Sequence, residues 1–180
     1  MKEVVQRKIF DYLLKNKIHN FIGVPDSTMK YFIDQGLKRN KVLIATREEE
    51  AIGIAAGMSL FLEIPEGKMI RRDELISKYR SNSLVFMQNA GFANSISTIT
   101  SLVQLYQIPM IFLIGWRGFL KNDAPEHTKI GSIQPKLLKA LSLQSMILNE
   151  GDWKKSCDWA LKLIRDGKSC ALIIPREFID

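Results

Sequence analysis

The chain has 180 residues, 46% of them hydrophobic, which is enough for one domain with a core of its own. No run of about 18 uncharged apolar residues occurs, so no transmembrane helix is expected, and the charged opening MKEVVQRKIFDYLLKNK lacks an apolar signal region, so a cytoplasmic protein is expected. The formal charge of +7 sits on scattered residues such as Lys15, Lys38, Arg71 and Lys155 without interleaved aromatics; this reads as solvated helix faces that suit an anionic small substrate, not a nucleic acid or a membrane.

Val4, Val5, Ile9, Tyr12 and Leu13 recur at helical spacing and open the chain with an amphipathic helix. Phe21 to Val24 is a short buried strand stopped by Pro25, after which Asp26 or Ser27 can cap a helix reaching about Leu37. Val42 to Thr46 is a second strand, and Glu48 to Leu62 a helix rich in Ala and Gly. The polar segment Ile64 to Asn82 reads as an insertion, with a helical turn near Asp73 to Tyr79, and not as a domain boundary. Ser83 to Gln88 is a third strand, Ala93 to Tyr106 a helix, and Met110 to Gly115 a fourth strand. Ser145 to Leu148 and Cys170 to Ile174 are two further strands, with the helix Trp153 to Arg165 between them. Cys157 and Cys170 form no Cys-x-x-Cys pair and have no His cluster beside them, so they read as reduced, buried thiols.

Strands that are apolar along their whole length are buried on both faces, and their alternation with helices implies a parallel sheet between two helical layers. The expected class is α/β: a single domain over residues 1–180, a three-layer sandwich with a mostly parallel sheet of about six strands and a polar insertion at about 64–82. Ligands of such sheets sit beyond the carboxyl ends of the strands. Chemistry is therefore expected in the loops after Val24, Thr46, Gln88 and Gly115.

Each of these loops carries unusual residues. Glu48, Glu49 and Glu50 open a helix whose Gly53 and Gly57 are poor choices for helix stability. Acids in a first turn complement the helix dipole, but a carboxylate at a strand's carboxyl end is also a candidate catalytic group. Gly23-Val24-Pro25-Asp26-Ser27 is a strand end, a turn and a helix cap. Met87-Gln88-Asn89-Ala90-Gly91-Phe92-Ala93-Asn94 runs a strand into amides and glycine, where Asn89 can serve a turn. Trp116-Arg117-Gly118, then Asp123-Ala124-Pro125-Glu126-His127, closed by Gly131, puts an arginine and one of the chain's two histidines on the expected ligand edge.

These four motifs resemble the thiamine-diphosphate-dependent decarboxylases, and in particular the pyrimidine-binding (alpha) subunit of the phosphonopyruvate and sulfopyruvate decarboxylase family. That family has a Glu at the end of its second strand, nine residues before the Gly of an A-x-G-like helix, and counting back from Gly57 gives Glu48. The M-Q-N-x-G-x-x-N segment is close to theirs, and W-R-G … D-x-P-x-H … G is the form associated with phosphonopyruvate decarboxylases. The resemblance implies a cofactor, thiamine diphosphate, bound by Glu48, Gly23 and Pro25, with Glu48 as the catalytic group sharing a proton with a ring nitrogen of the aminopyrimidine. It implies an anionic 2-oxo acid met by Ser27, Gln88, Asn89, Arg117 and His127, and a lyase converting phosphonopyruvate to phosphonoacetaldehyde and CO2. Sulfopyruvate decarboxylation to sulfoacetaldehyde and a non-catalytic regulatory subunit of the same fold are the alternatives.

The family's G-D-G segment for Mg2+ is missing from this chain, where Gly151-Asp152-Trp153 is the nearest sequence. The resemblance therefore implies Mg2+ held by a separate diphosphate-binding (beta) subunit of similar size, and activity only in that hetero-oligomer. Some members of the family split the two domains between two polypeptides, and the end at Asp180 matches such a split. Fold analogy alone would allow a flavodoxin-like or nucleotide-binding protein.

Overall fold

A computed structural model describes residues 1–60, 82–119 and 123–176. The insertion expected at 64–82 lies outside the described residues, except that Asn82 begins a strand. Helix α1 (Glu3–Lys15) buries Gln6, Ile9, Phe10 and Leu13, and strand β1 (Ile18–Gly23) follows. Asp26 caps a 3-10 turn, Ser27–Met29, that runs into α2 (Lys30–Lys38). Strand β2 (Val42–Ile44) and helix α3 (Glu48–Ser59) are shorter at their ends than the apolar runs suggest. Strand β3 (Asn82–Gln88) passes directly into α4 (Asn89–Asn94).

The regular helix expected to reach Tyr106 is broken. A turn at Ser95 leads to a short helical stretch, Ile96–Thr98, and a π-helix, Ile99–Gln104. Hydroxyls bond backward onto the helix: Ser95 Oγ donates to the Gly91 carbonyl (2.8 Å) and Ser101 Oγ to that of Ser97 (2.6 Å), a pattern that bends helices. Strand β4 (Met110–Trp116) is followed by α5 (Pro125–Ala140), which the sequence reading did not assign. Pro125 starts it, where a fixed φ is pre-organised and no N–H is needed. Strand β5 (Gln144–Ile147), helix α6 (Trp153–Arg165) and strand β6 (Cys170–Pro175) complete the order.

The six strands form one parallel sheet in the order β2-β1-β3-β4-β6-β5. Successive residues of each strand point to opposite faces. Phe21, Phe86, Leu113 and Leu172 join Phe10 and Phe32 in one core under α1, α2 and α6. Ile22, Val85, Phe112 and Ile173 join Ala51, Ile52 and Val103 in a second core under α3, the π-helix and α5. The three-layer α/β sandwich expected from the apolar runs is thus the fold, with all strands parallel. The expectation that every strand is buried on both faces is corrected at the two edges: Leu43 and Ile44 of β2 are 46% and 44% exposed, because β2 pairs only with β1.

Cys157 and Cys170 are buried, and burial pushes each thiol up to about 12, so neither is a thiolate at neutral pH. Among the described residues, no helix is long and apolar enough to cross a membrane.

Gly23 ends β1 beside Phe86 of β3, and a Cβ at that position would collide with the Phe86 carbonyl oxygen and ring. Gly23 was expected to touch a cofactor; strand packing alone already requires it to be glycine. Gly23→Ala should destabilise the fold by about 1–3 kcal/mol through overpacking. Urea unfolding checks this, and a loss below about 0.5 kcal/mol would contradict the close approach.

Candidate active site

Parallel strands place the loops after β1, β2, β3 and β4 on one edge of the sheet. The loop after β2 separates the three acids that open α3. Glu50 turns back to cap the helix entry: its Oε2 accepts from the Thr46 N–H (2.8 Å) and from Thr46 Oγ1 (2.6 Å). Those bonds, the hydroxyl's first, hold the Glu50 carboxyl below its ordinary value. Glu48 does something different. It is half-buried and lies across Gly91 of α4, where a Cβ would overlap the carboxylate itself. Among the described residues its carboxylate has no hydrogen bond or ion pair. Helix α3 is held in place by Ala51, Ile52, Ala55 and Ala56, all buried against the sheet, while Gly53 and Gly57 have open space around them.

The loop after β1 is organised by Asp26, only 7% exposed. One carboxylate oxygen accepts from the Thr28 N–H (2.9 Å) and from Thr28 Oγ1, and the other from Gln88 Nε2 at the end of β3 (2.8 Å). Gly115 lies beneath this group, and a side chain there would collide with Thr28 and Asp26. Pro25 and Ser27 are exposed beside it. They line a groove of about 360 Å³ with Lys30, Ile33, Asp34 and Leu37. None of its lining residues belongs to α3 or α4, so Glu48 does not line it.

Asn89 is fully buried; its Nδ2 donates to the Arg117 carbonyl (2.8 Å) and its Oδ1 has no partner. Arg117 is not an open cation. Its Nε and Nη2 form a fork on the two oxygens of Asp123 (3.0 and 2.8 Å). Asp123, its side chain 2% exposed, also accepts from the Gly118 N–H (2.7 Å), the Ala124 N–H (2.8 Å) and Arg176 Nη1 (2.5 Å). The Arg117 hydrogen bond is the main reason that the Asp123 carboxyl is held well below the usual carboxylate range, and the same pairing raises Arg117.

Gly118, at φ +72°, meets the His127 carbonyl and Gly131 so closely that neither glycine has room for a side chain. Trp116 Nε1 donates to the Gly131 carbonyl (2.9 Å). The W-R-G … D-x-P-x-H … G spacing is therefore that of a clamp joining the end of β4 to the start of α5. His127 enters this clamp through its backbone and is itself half-buried. Sequence reasoning saw Asp26 only as a cap, because its further partner Gln88 lies 62 residues away, and did not show Asp123 as the centre of the clamp, to which Arg176 comes from 53 residues away.

No known family model matches this sequence. It is 34% identical over 133 residues to a sulfopyruvate decarboxylase subunit alpha of Methanocaldococcus jannaschii, covering 72% of this chain and 68% of that one. It is 32% identical over 127 residues to the subunit of the same name from Methanococcus maripaludis, covering 71% of this chain and 62% of that one. Among solved structures, a thiamine diphosphate-dependent 4-hydroxybenzoylformate decarboxylase of Rhodococcus jostii RHA1 superposes with a TM-score of 0.64 at 16% identity, covering 94% of this chain and 30% of that one. That likeness is one of fold.

Asp123 yields a test of the clamp. A carboxyl lowered by folding stabilises above its unfolded value, near 4, and the stabilisation is lost progressively as pH falls below it. Asp123→Asn should cost about 2–3 kcal/mol at pH 7, and the difference from the parent should be about 1 kcal/mol smaller at pH 3. Urea unfolding at both pH values measures it; a pH-independent difference would contradict the pairing.

Proposed function

This chain belongs to the family of sulfopyruvate decarboxylase alpha subunits, and on that premise we propose that it supplies the pyrimidine-facing half of a two-chain, thiamine-diphosphate-dependent 2-oxo acid decarboxylase. The observation that carries the proposal is the division of labour between Glu48 and Glu50. Glu50 is committed to the helix entry, while Glu48 lies over a glycine at the carboxyl edge with no protein partner among the described residues.

The residues fit such a cofactor. Glu48 offers a carboxylate, Gly91 a floor without a side chain, and Asn89 Oδ1 a buried acceptor without a donor. Bound thiamine diphosphate supplies the electron sink for loss of CO2. Glu48 is assigned to hold and exchange a proton with a ring nitrogen of the aminopyrimidine. Pro25 and Gly23 shape the neighbouring wall. Ser27 and Gln88 are assigned hydrogen bonds to the 2-oxo acid, and Asn89 backs them from beneath. His127 is the proposed cationic contact. Arg117 is assigned to the loop and not to the substrate, since Asp123 occupies its fork.

That reassignment bears on the substrate. A phosphonate head can carry two negative charges and favours a planar, multidentate partner such as an open guanidinium. With the Arg117 fork taken up by Asp123, that planar partner is lost to the substrate and a singly charged sulfonate is the better match, in line with the names of the relatives. Sulfopyruvate is therefore the proposed substrate and sulfoacetaldehyde the product. The relatives' designation as alpha subunits supports a partner chain, to which the diphosphate and its Mg2+ are assigned.

In the complex with a diphosphate-binding subunit, Mg2+ and thiamine diphosphate, Glu48→Gln should lower kcat for sulfopyruvate by about 100-fold or more. Glu50→Gln should leave turnover within a few-fold and cost less than about 1 kcal/mol of stability, since its amide oxygen can still accept from Thr46. The opposite ranking would move the catalytic role to Glu50. Assayed side by side, sulfopyruvate should show the higher kcat/KM; a higher value for phosphonopyruvate would restore the phosphonate reading.

A further inference from the structure

Asp26 has one more contact than a helix cap needs. Its Oδ1 alone serves the cap, taking both the Thr28 N–H and the Thr28 hydroxyl. Its Oδ2 reaches Gln88 Nε2, 62 residues away in the chain and in register with Gly115 on the neighbouring strand. The carboxylate sits on a rigid base. Gln6, 3% exposed, donates to the Thr28 carbonyl (3.0 Å) and accepts from the N–H groups of Tyr31 and Phe32 (both 3.1 Å). Beneath it, Gly115 leaves the space that the Asp26 and Thr28 side chains occupy.

We propose that Asp26 is a positioning residue that locks the Gln88 amide in one orientation at the carboxyl edge of the sheet. An ionised carboxylate only accepts hydrogen bonds, so Gln88 must turn its NH2 group toward Asp26. That choice fixes where the amide oxygen and the second N–H point. Gln88 then presents a defined donor and acceptor to whatever occupies the edge, and by the function proposed above, on which only this last step rests, the occupant is the 2-oxo acid.

Asp26→Asn isolates the lock, because Asn caps a helix about as well as Asp. With Asn turned so that its oxygen keeps the Thr28 contacts, its NH2 faces the NH2 of Gln88, and the Gln88 amide must flip or let go. Two measurements test this. In heteronuclear NMR of the full chain, the parent should show a distinct, slowly exchanging Gln88 side-chain amide pair, identified by its loss in Gln88→Glu. That pair should shift and exchange faster in Asp26→Asn, with the melting temperature little changed. In the assembled enzyme, Asp26→Asn should raise KM for the 2-oxo acid about tenfold with kcat within a few-fold, the loss of one oriented hydrogen bond. Gln88→Ala should do the same, and the double variant should be no worse than either single one.

A rapidly exchanging Gln88 amide indifferent to Asp26→Asn would overturn the proposal. So would a parental KM in Asp26→Asn beside a raised KM in Gln88→Ala. Should the parent complex decarboxylate no 2-oxo acid, the functional reading falls, and the amide signal alone then decides whether the lock exists.

Discussion

All six strands run in the same direction, and this constraint brings every carboxyl end, with its loop, to one edge of the sheet. Residues far apart in the chain meet there because the register leaves them no alternative: Gln88 lies opposite Gly115, and Gly23 opposite Phe86. The edge is crowded, and glycines relieve it. Gly91 makes room for Glu48, and Gly115 for Asp26 and Thr28. A side chain at either position would displace a carboxylate, so the chemistry of the edge depends on backbone approach as much as on the groups themselves.

Two carboxylates near this edge are buried, and they are stabilised by different means. Asp123 lies between Arg117 and Arg176 with two backbone N–H groups, an arrangement in which two cations share the carboxylate and every acceptor site is used. Asp26 has neutral donors only: a backbone N–H, a hydroxyl and an amide. The first arrangement anchors a loop and removes Arg117 from the ligand edge. The second orients a neighbour while keeping negative charge close to it. Glu48 stands apart from both, with no hydrogen-bond partner among the described residues.

Much of this was legible in the sequence, for physical reasons that also mark where legibility stops. Unbroken apolar runs identified all six strands, since central parallel strands must be apolar on both faces. The same runs could not show that β2 lies at an edge, because the number of neighbours is set by topology and not by the hydrophobicity of Leu43 or Ile44. Helix α5 was hidden by a mixture of Pro125, Pro135, Gly131 and polar residues that blurs the helical period. The family resemblance picked out Glu48 by its distance from Gly57, yet what distinguishes it physically, the bare backbone of Gly91, lies on another element. The W-R-G … D-x-P-x-H … G pattern was noticed for its charged residues. Its spacing follows instead from the packing of Gly118 on Gly131 and from the fork of Arg117 on Asp123, to which Arg176 adds a contact from 53 residues away.

The central claim is that this chain contributes only the Glu48 edge of a cofactor site that a second subunit completes. Calorimetric titration of thiamine diphosphate in the presence of Mg2+ tests it most directly, first into this chain alone and then into its complex with the diphosphate-binding subunit. The account predicts no tight binding to the isolated chain and saturable binding to the complex, weakened by Glu48→Gln. Tight, Mg2+-dependent binding to the isolated chain would contradict it.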